Sequence, residues 1–182
     1  VLKIFSEDAV TVLGIYYKIQ SFFFIPLLGF QQVLLPLFSY NYGAGDRHRN
    51  RDILKCSITF SVAIMAVATG IFFLLPEKLV QIFSAESSIV AIGKYAFPVI
   101  SISFVFAGLT IVITSYLQGI ARMKSSLFII VLRQIVLLVP LAWVFHFIGL
   151  NAVWWTFPVT EIIASMTGIL IIVILHKQDR AL

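Results

Sequence analysis

The 182-residue chain is 60% hydrophobic and only 12% charged, about half the charged share of a soluble domain. With a mean hydropathy of +1.04, its main solvent is lipid rather than water. Its formal charge of +5 is spread over several connections and joins no aromatic-basic motif. That points to membrane lipid, and not nucleic acid, as the surrounding partner. The single cysteine, Cys56, excludes an intrachain disulfide and a cysteine-based metal site.

The predicted fold is all-α, a polytopic transmembrane helix bundle of about five spans. The first covers about 9–42, longer than a perpendicular crossing needs. Pro26 and Pro36 each remove a backbone donor, with Gly29 between them, so this helix is expected to bend and to turn Gln31 or Gln32 toward a cavity. The second span covers about 53–75 and ends at Pro76. The third, about 90–120, contains Pro98 and Gly108. The fourth, about 127–147, contains Pro140, and the fifth, about 153–175, contains Pro158. About 20 apolar residues at 1.5 Å each match a hydrocarbon core of about 30 Å.

The connections set an orientation. The link from Gly43 to Asp52 carries Arg47, Arg49 and Arg51, the link from Ala121 to Ser126 carries Arg122 and Lys124, and the tail carries Lys177 and Arg180. Between them lie an acidic-leaning segment (Glu77, Lys78, Glu86) and a link, Phe147 to Asn151, with no basic residue. Basic connections face the cytoplasm, which predicts a cytoplasmic C-terminus in the cell membrane. Trp143, Trp154 and Trp155 are expected as anchors at the outer interface. Leu79 to Phe83 is too short to cross and is expected to lie in that interface. The chain begins at Val1 without a signal-peptide pattern, which reads as a fragment or a processed product.

Arg133 and Glu161 are the most costly residues within the spans. Each is disfavoured by about 2.5–3.5 kcal/mol at a helix centre. Arg133 lies about 9 Å from the inner edge and Glu161 about 12 Å from the outer edge at helical rise, on consecutive antiparallel helices. They are expected to pair, either as a cation-linked switch or as a static ion pair. Gln31, Gln32 and Gln134, with Gln20 and Gln118, offer amides for interhelical bonds or a polar substrate. Lys18 can snorkel to the interface. Phe22 to Phe24, Phe104 and Phe106 supply rings for helix packing or for a flat cation. His48, His146 and His176 have no metal-ligand spacing, and neither a nucleophile motif nor a phosphate loop appears, so neither a metal nor an enzyme is expected.

The run from Ile25 through Pro26, Gly29, Gln31, Gln32 and Pro36 to Tyr40-Asn41-Tyr42-Gly43-Ala44-Gly45 closely resembles the second half of multidrug and toxin extrusion (MATE) transporters. Gln118-Gly119, Leu132-Arg133-Gln134 with Pro140, and Gly149-Leu150-Asn151-Ala152-Val153-Trp154 with Pro158 and Glu161 continue the likeness in the family's order. The resemblance implies that residues 1–182 are most of a C-terminal transmembrane lobe, to be paired with an N-terminal lobe around a central cavity. It implies export of drugs and small amphiphilic organic cations in exchange for Na⁺ or H⁺, by alternating access, without any other cofactor. One branch of the family has an acidic residue in the fourth helix of this lobe. The matching stretch here, Tyr95 to Gly119, has no Asp or Glu, which leaves the coupling acid to the other lobe or to Glu161. The rival readings are a lipid-linked precursor flippase of similar architecture, which requires several basic residues in its cavity, and a membrane scaffold without transport.

Overall fold

The computed structural model describes residues 2–181, with side chains except those of Ile4 and of residues 178–181; the side chain of Arg180, counted above in the basic tail, therefore lies outside it. After a short 3₁₀ turn (Leu2–Ile4), the described chain is built of helices α1 (Glu7–Gly43), α2 (Arg47–Leu74), α3 (Pro76–Gln81), α4 (Ser87–Gly119), α5 (Met123–Val131), α6 (Leu138–His146), α7 (Leu150–Trp154) and α8 (Thr156–Ala181). A π-helical segment, Leu132–Leu137, joins α5 to α6. Five stretches are long and apolar enough to cross a membrane: Glu7–Gly43, Arg47–Leu74, Ser87–Gly119, Met123–His146 and Leu150–Lys177. The five expected spans are present, and their ends differ in instructive ways.

The basic residues Arg47, Arg49 and Arg51 stand on α2 and not in a loop. Asp46 caps the helix by accepting a hydrogen bond from the Arg49 backbone N–H at 2.9 Å, so the helix starts at once. The α1–α2 turn shrinks to Ala44–Asp46, which Gly45 closes at φ 74°, a left-handed conformation suited to glycine. The fourth span is an α–π–α rod instead of one α-helix. The fifth span begins with the separate turn α7, and Pro158 falls in the first turn of α8, where a missing N–H costs nothing. The first helix runs unbroken through Pro26 and Pro36.

Helix α4 is the packing axis, contacting α1, α2, α3, α5, α7 and α8. Of its most apolar 18 residues 67% are buried, against 6% for the Met123–His146 span. Small residues permit this approach. A Cβ on Gly108 would meet Ser61 Oγ at 2.7 Å and Met65 Cγ at 2.9 Å, and one on Gly119 would collide with Phe38 Cβ. Thr69 on α2 donates to the Ser101 carbonyl on α4 at 3.0 Å. An aromatic core of Tyr16, Phe72, Phe97 and Phe104 joins α1, α2 and α4, with ring centroids 5.0–6.2 Å apart.

Helix α3 packs on α4: Val80 is fully buried against Gly93, and Glu77 pairs with Lys94 at 2.6 Å. One expectation, that for the tryptophans, changes. Of the three tryptophans, Trp143 and Trp155 are exposed as anchors should be, whereas Trp154 is fully buried in the core beneath α4. Its place in α7, the turn that crosses back toward α4, puts it inside.

The glycine contacts make a stability prediction. Gly119→Val should lower the thermal midpoint of the purified protein markedly, because the facing Phe38 and Leu35 atoms lie on or next to backbone. Gly14→Ala, where a Cβ meets nothing within 4 Å, should be neutral or stabilising by about 0.5–1 kcal/mol. Equal midpoints for the two variants would contradict the close α1–α4 approach.

Candidate functional site: a buried ion pair in a polar cavity

Helices α1 and α6 do not pack closely on one another, although both border the same seam. A cavity of about 160 Å³ lies there, lined by Tyr16, Tyr17, Gln20 and Phe24 of α1, Ser103 and Ala107 of α4, Arg133 and Gln134 of the π segment, Leu138 of α6, and Phe157 and Glu161 of α8. Arg133 Nε lies 3.3 Å from Glu161 Oε1, and Arg133 Nη1 donates to Oε2 at 3.4 Å. One guanidinium N–H, at Nη1, thus donates to the carboxylate, and Nε adds a close ion-pair contact. The two side chains are only 22% and 13% exposed, and both line the cavity.

The positions follow from helix geometry. On α1, Tyr16, Gln20 and Phe24 recur every four residues and so share a face. Ser103 and Ala107 repeat the spacing on α4, as do Phe157 and Glu161 on α8. Arg133 and Gln134 are adjacent in sequence, and on a regular α-helix they would diverge by about 100°. They sit instead in the wider π turn, where the Leu138 N–H reaches back five residues to the Arg133 carbonyl, and both reach the same cavity. Such turns recur at functional sites. The rings of Tyr16, Phe24 and Phe157 form the apolar wall, with Phe24 5.5 Å from Phe104 and Tyr16 5.9 Å from Phe157.

The structure therefore brings together Arg133, Gln134 and Glu161. Gln31 and Gln32 stand elsewhere: Gln31 is half-buried, Gln32 is exposed, and neither lines the cavity. Eleven residues separate Gln31 from Gln20, about 16 Å along a helix, which is too far to share one small cavity. Gln20 and Phe24, both among the sequence candidates, take the place on α1 together with Tyr16, which the four-residue spacing could have added to them. The remaining motif residues divide into two groups. Pro26, Gly29, Gln32 and Pro36 form an exposed stripe along α1. Asn41, Tyr42, Gly43, Gln118 and Gly119 stand at the α1–α2 and α4–α5 turns: buried Asn41 donates to the Leu37 carbonyl at 2.8 Å, and Gln118 Nε2 donates to Ser126 Oγ at 3.0 Å. Phe22 is exposed, Phe104 is core and Phe24 lines the cavity. Lys18 stands 5.7 Å from the Phe83 ring centroid.

The MatE family model matches residues 1–144. The chain belongs to the MatE family. It is similar to Multidrug export protein MepA of Staphylococcus saprophyticus, with 26% identity over 96% of this chain, and to the MepA of Staphylococcus haemolyticus, with 22% identity over 97%. It spans 38% and 39% of the lengths of those two relatives. Among solved structures, the Vibrio cholerae MATE transporter VcmN in its bent form superposes with a TM-score of 0.86 at 19% identity, over 93% of this chain and 39% of that one. The MATE multidrug transporter DinF-BH superposes with a TM-score of 0.81 at 28% identity, over 98% and 40%. Family and five apolar spans together make this a multi-pass membrane protein of the MatE family.

The pair's contribution can be measured. Glu161→Gln leaves the Arg133 guanidinium unpaired and should destabilise the protein by the lower part of about 3–5 kcal/mol, since both side chains keep some exposure. Arg133→Gln combined with Glu161→Gln should recover most of that loss. Additive losses in this double-mutant cycle, read by thermal unfolding, would show that the two charges do not depend on each other.

Proposed function

We propose that this chain forms one lobe, the second, of a cation-coupled multidrug antiporter, and that Glu161 is a cation-accepting group of that lobe. The observation that carries the reading is the Arg133–Glu161 pair, two charges held inside a membrane bundle at the edge of a cavity walled by aromatic rings. Charges at such depth are costly and mark ion and substrate paths. A carboxylate beside the rings of Tyr16, Phe24 and Phe157 suits an amphiphilic organic cation, which needs a counter-charge and a flat apolar wall. The relatives named as multidrug exporters favour that substrate class. A proton or Na⁺ competing for the same carboxylate supplies exchange.

The opposite wall of the transport path comes from outside this chain. The exposed stripe of Pro26, Gly29, Gln32 and Pro36 on α1 carries an amide and two prolines, poor residues to offer to lipid. It faces the N-terminal lobe in this reading, and alternating access is the relative motion of the two lobes. The cavity's only cationic residue among those lining it, Arg133, is already paired, which disfavours a phosphate-binding flippase. The inner ends of α1, α4 and α8 lie in the cytoplasm by the charge rule.

Two measurements test this. In proteoliposomes of the full-length transporter, Glu161→Gln should reduce ion-driven efflux of a cationic dye at least about tenfold, the order expected from losing one close charge pair; full efflux at equal amounts of folded protein would overturn the assignment. For the topology, His48→Cys in a Cys56→Ser background is suited to labelling because the His48 side chain is 90% exposed. It should react with an impermeant thiol reagent only after the cell is permeabilised, and ready reaction in intact cells would reverse the orientation.

A further inference from the structure

We infer that Arg133 is a tethered competitor: an internal cation that occupies Glu161 and must be displaced by any organic cation that binds there. The inference rests on the reading of Glu161 as the cation-accepting group.

Three observations carry it. First, space: beside the intact pair the cavity measures about 160 Å³, below the roughly 300–1,000 Å³ of small-molecule sites. A larger apolar pocket of about 390 Å³ shares Tyr17, Leu138 and Phe157 with it, and an organic cation entering from there meets the carboxylate oxygens only in contention with the guanidinium. Second, the grip is loose. Both contacts, 3.3 and 3.4 Å, exceed the 2.7–2.9 Å or so of strong charge-assisted bonds, so Arg133 is held mainly by charge. Third, a receiving place exists. Gln134 and Gln20 line the same cavity, and their amide oxygens can accept N–H groups from a displaced guanidinium. Among the described residues, Arg133 and Glu161 are the only formally charged ones lining the cavity, which also presents the phenols Tyr16 and Tyr17. No other lysine or arginine there could take over the role.

A simple structural brace makes the opposite prediction. If Arg133 only shapes the site, removing it weakens substrate binding. If it competes, removing it exposes an uncompensated carboxylate and strengthens binding.

The test uses purified full-length transporter and tetraphenylphosphonium, a monocation without donors, as the probe. Glu161→Gln should weaken its equilibrium binding at least about tenfold, and Arg133→Gln should tighten it by a similar factor. Arg133→Lys keeps the tethered charge and should stay close to wild type. If Glu161→Gln leaves binding unchanged, the cation site itself is misassigned and the inference falls with it. If Glu161→Gln weakens binding but Arg133→Gln weakens it too or leaves it unchanged, the site stands and the competitor role alone is overturned. The wild-type protein gives an independent readout should a variant not fold. The Nε resonance of Arg133, followed by NMR, should move away from its carboxylate-paired position as the probe saturates the site. A resonance unmoved at saturation overturns the inference.

Discussion

A charge inside a membrane bundle needs a partner of opposite sign, and that requirement organises this lobe. Arg133 and Glu161 come from helices that run in opposite directions, and their pairing ties the π segment to α8. The pair lies in the seam that α1 and α6 leave open. Its surroundings are correspondingly mixed, with two glutamines, two phenols and a serine among the apolar rings. An apolar core would have been simpler to pack and as stable. Keeping two charges there is a cost that stability alone does not explain.

Around that site the helices are held in two different ways. Helices α1, α2 and α4 share a dense aromatic core and close glycine contacts, and α8 meets α4 at Gly168, where an added Cβ would lie 2.9 Å from Ile113 Cγ2. In lipid, where apolar burial between helices gains little, such close van der Waals contact is the main source of association. The α5–π–α6 rod has less of it: Ile129 on α5 is buried beside Gly168, but the rod's side chains are otherwise mostly exposed.

Much of this was legible in the sequence. The five spans followed from length and hydropathy, because the bilayer fixes how many apolar residues a crossing needs. The Arg133–Glu161 pairing followed from depth and chain direction alone. Other features depend on packing that no single segment declares. Trp154 carries the composition of an interfacial anchor, yet the α7 turn folds it inward. Arg47, Arg49 and Arg51 read as a loop because they are polar, while one capping aspartate was enough to make them helical. Gln31 and Gln32 drew attention as amides between prolines. Gln20 reaches the cavity because its helical position, level with Glu161 and Arg133, matters more than its neighbours in sequence. The π segment has no propensity signature at all, and Pro140 hinted only at some irregularity.

The asymmetry of packing bears on how the ion pair behaves. Glu161 stands on α8, anchored to α4, whereas Arg133 stands on the rod that the lobe holds least tightly. A shift of that rod sacrifices less buried contact than a shift of any other span, and it changes the Arg133–Glu161 distance directly. The π turn adds to this. It carries one more residue per turn than its α-helical neighbours, and a one-residue change of register there rotates an attached side chain by about 100°. The group that must leave the carboxylate is thus mounted on the one span, and at the one turn, where leaving disturbs the rest of the fold least.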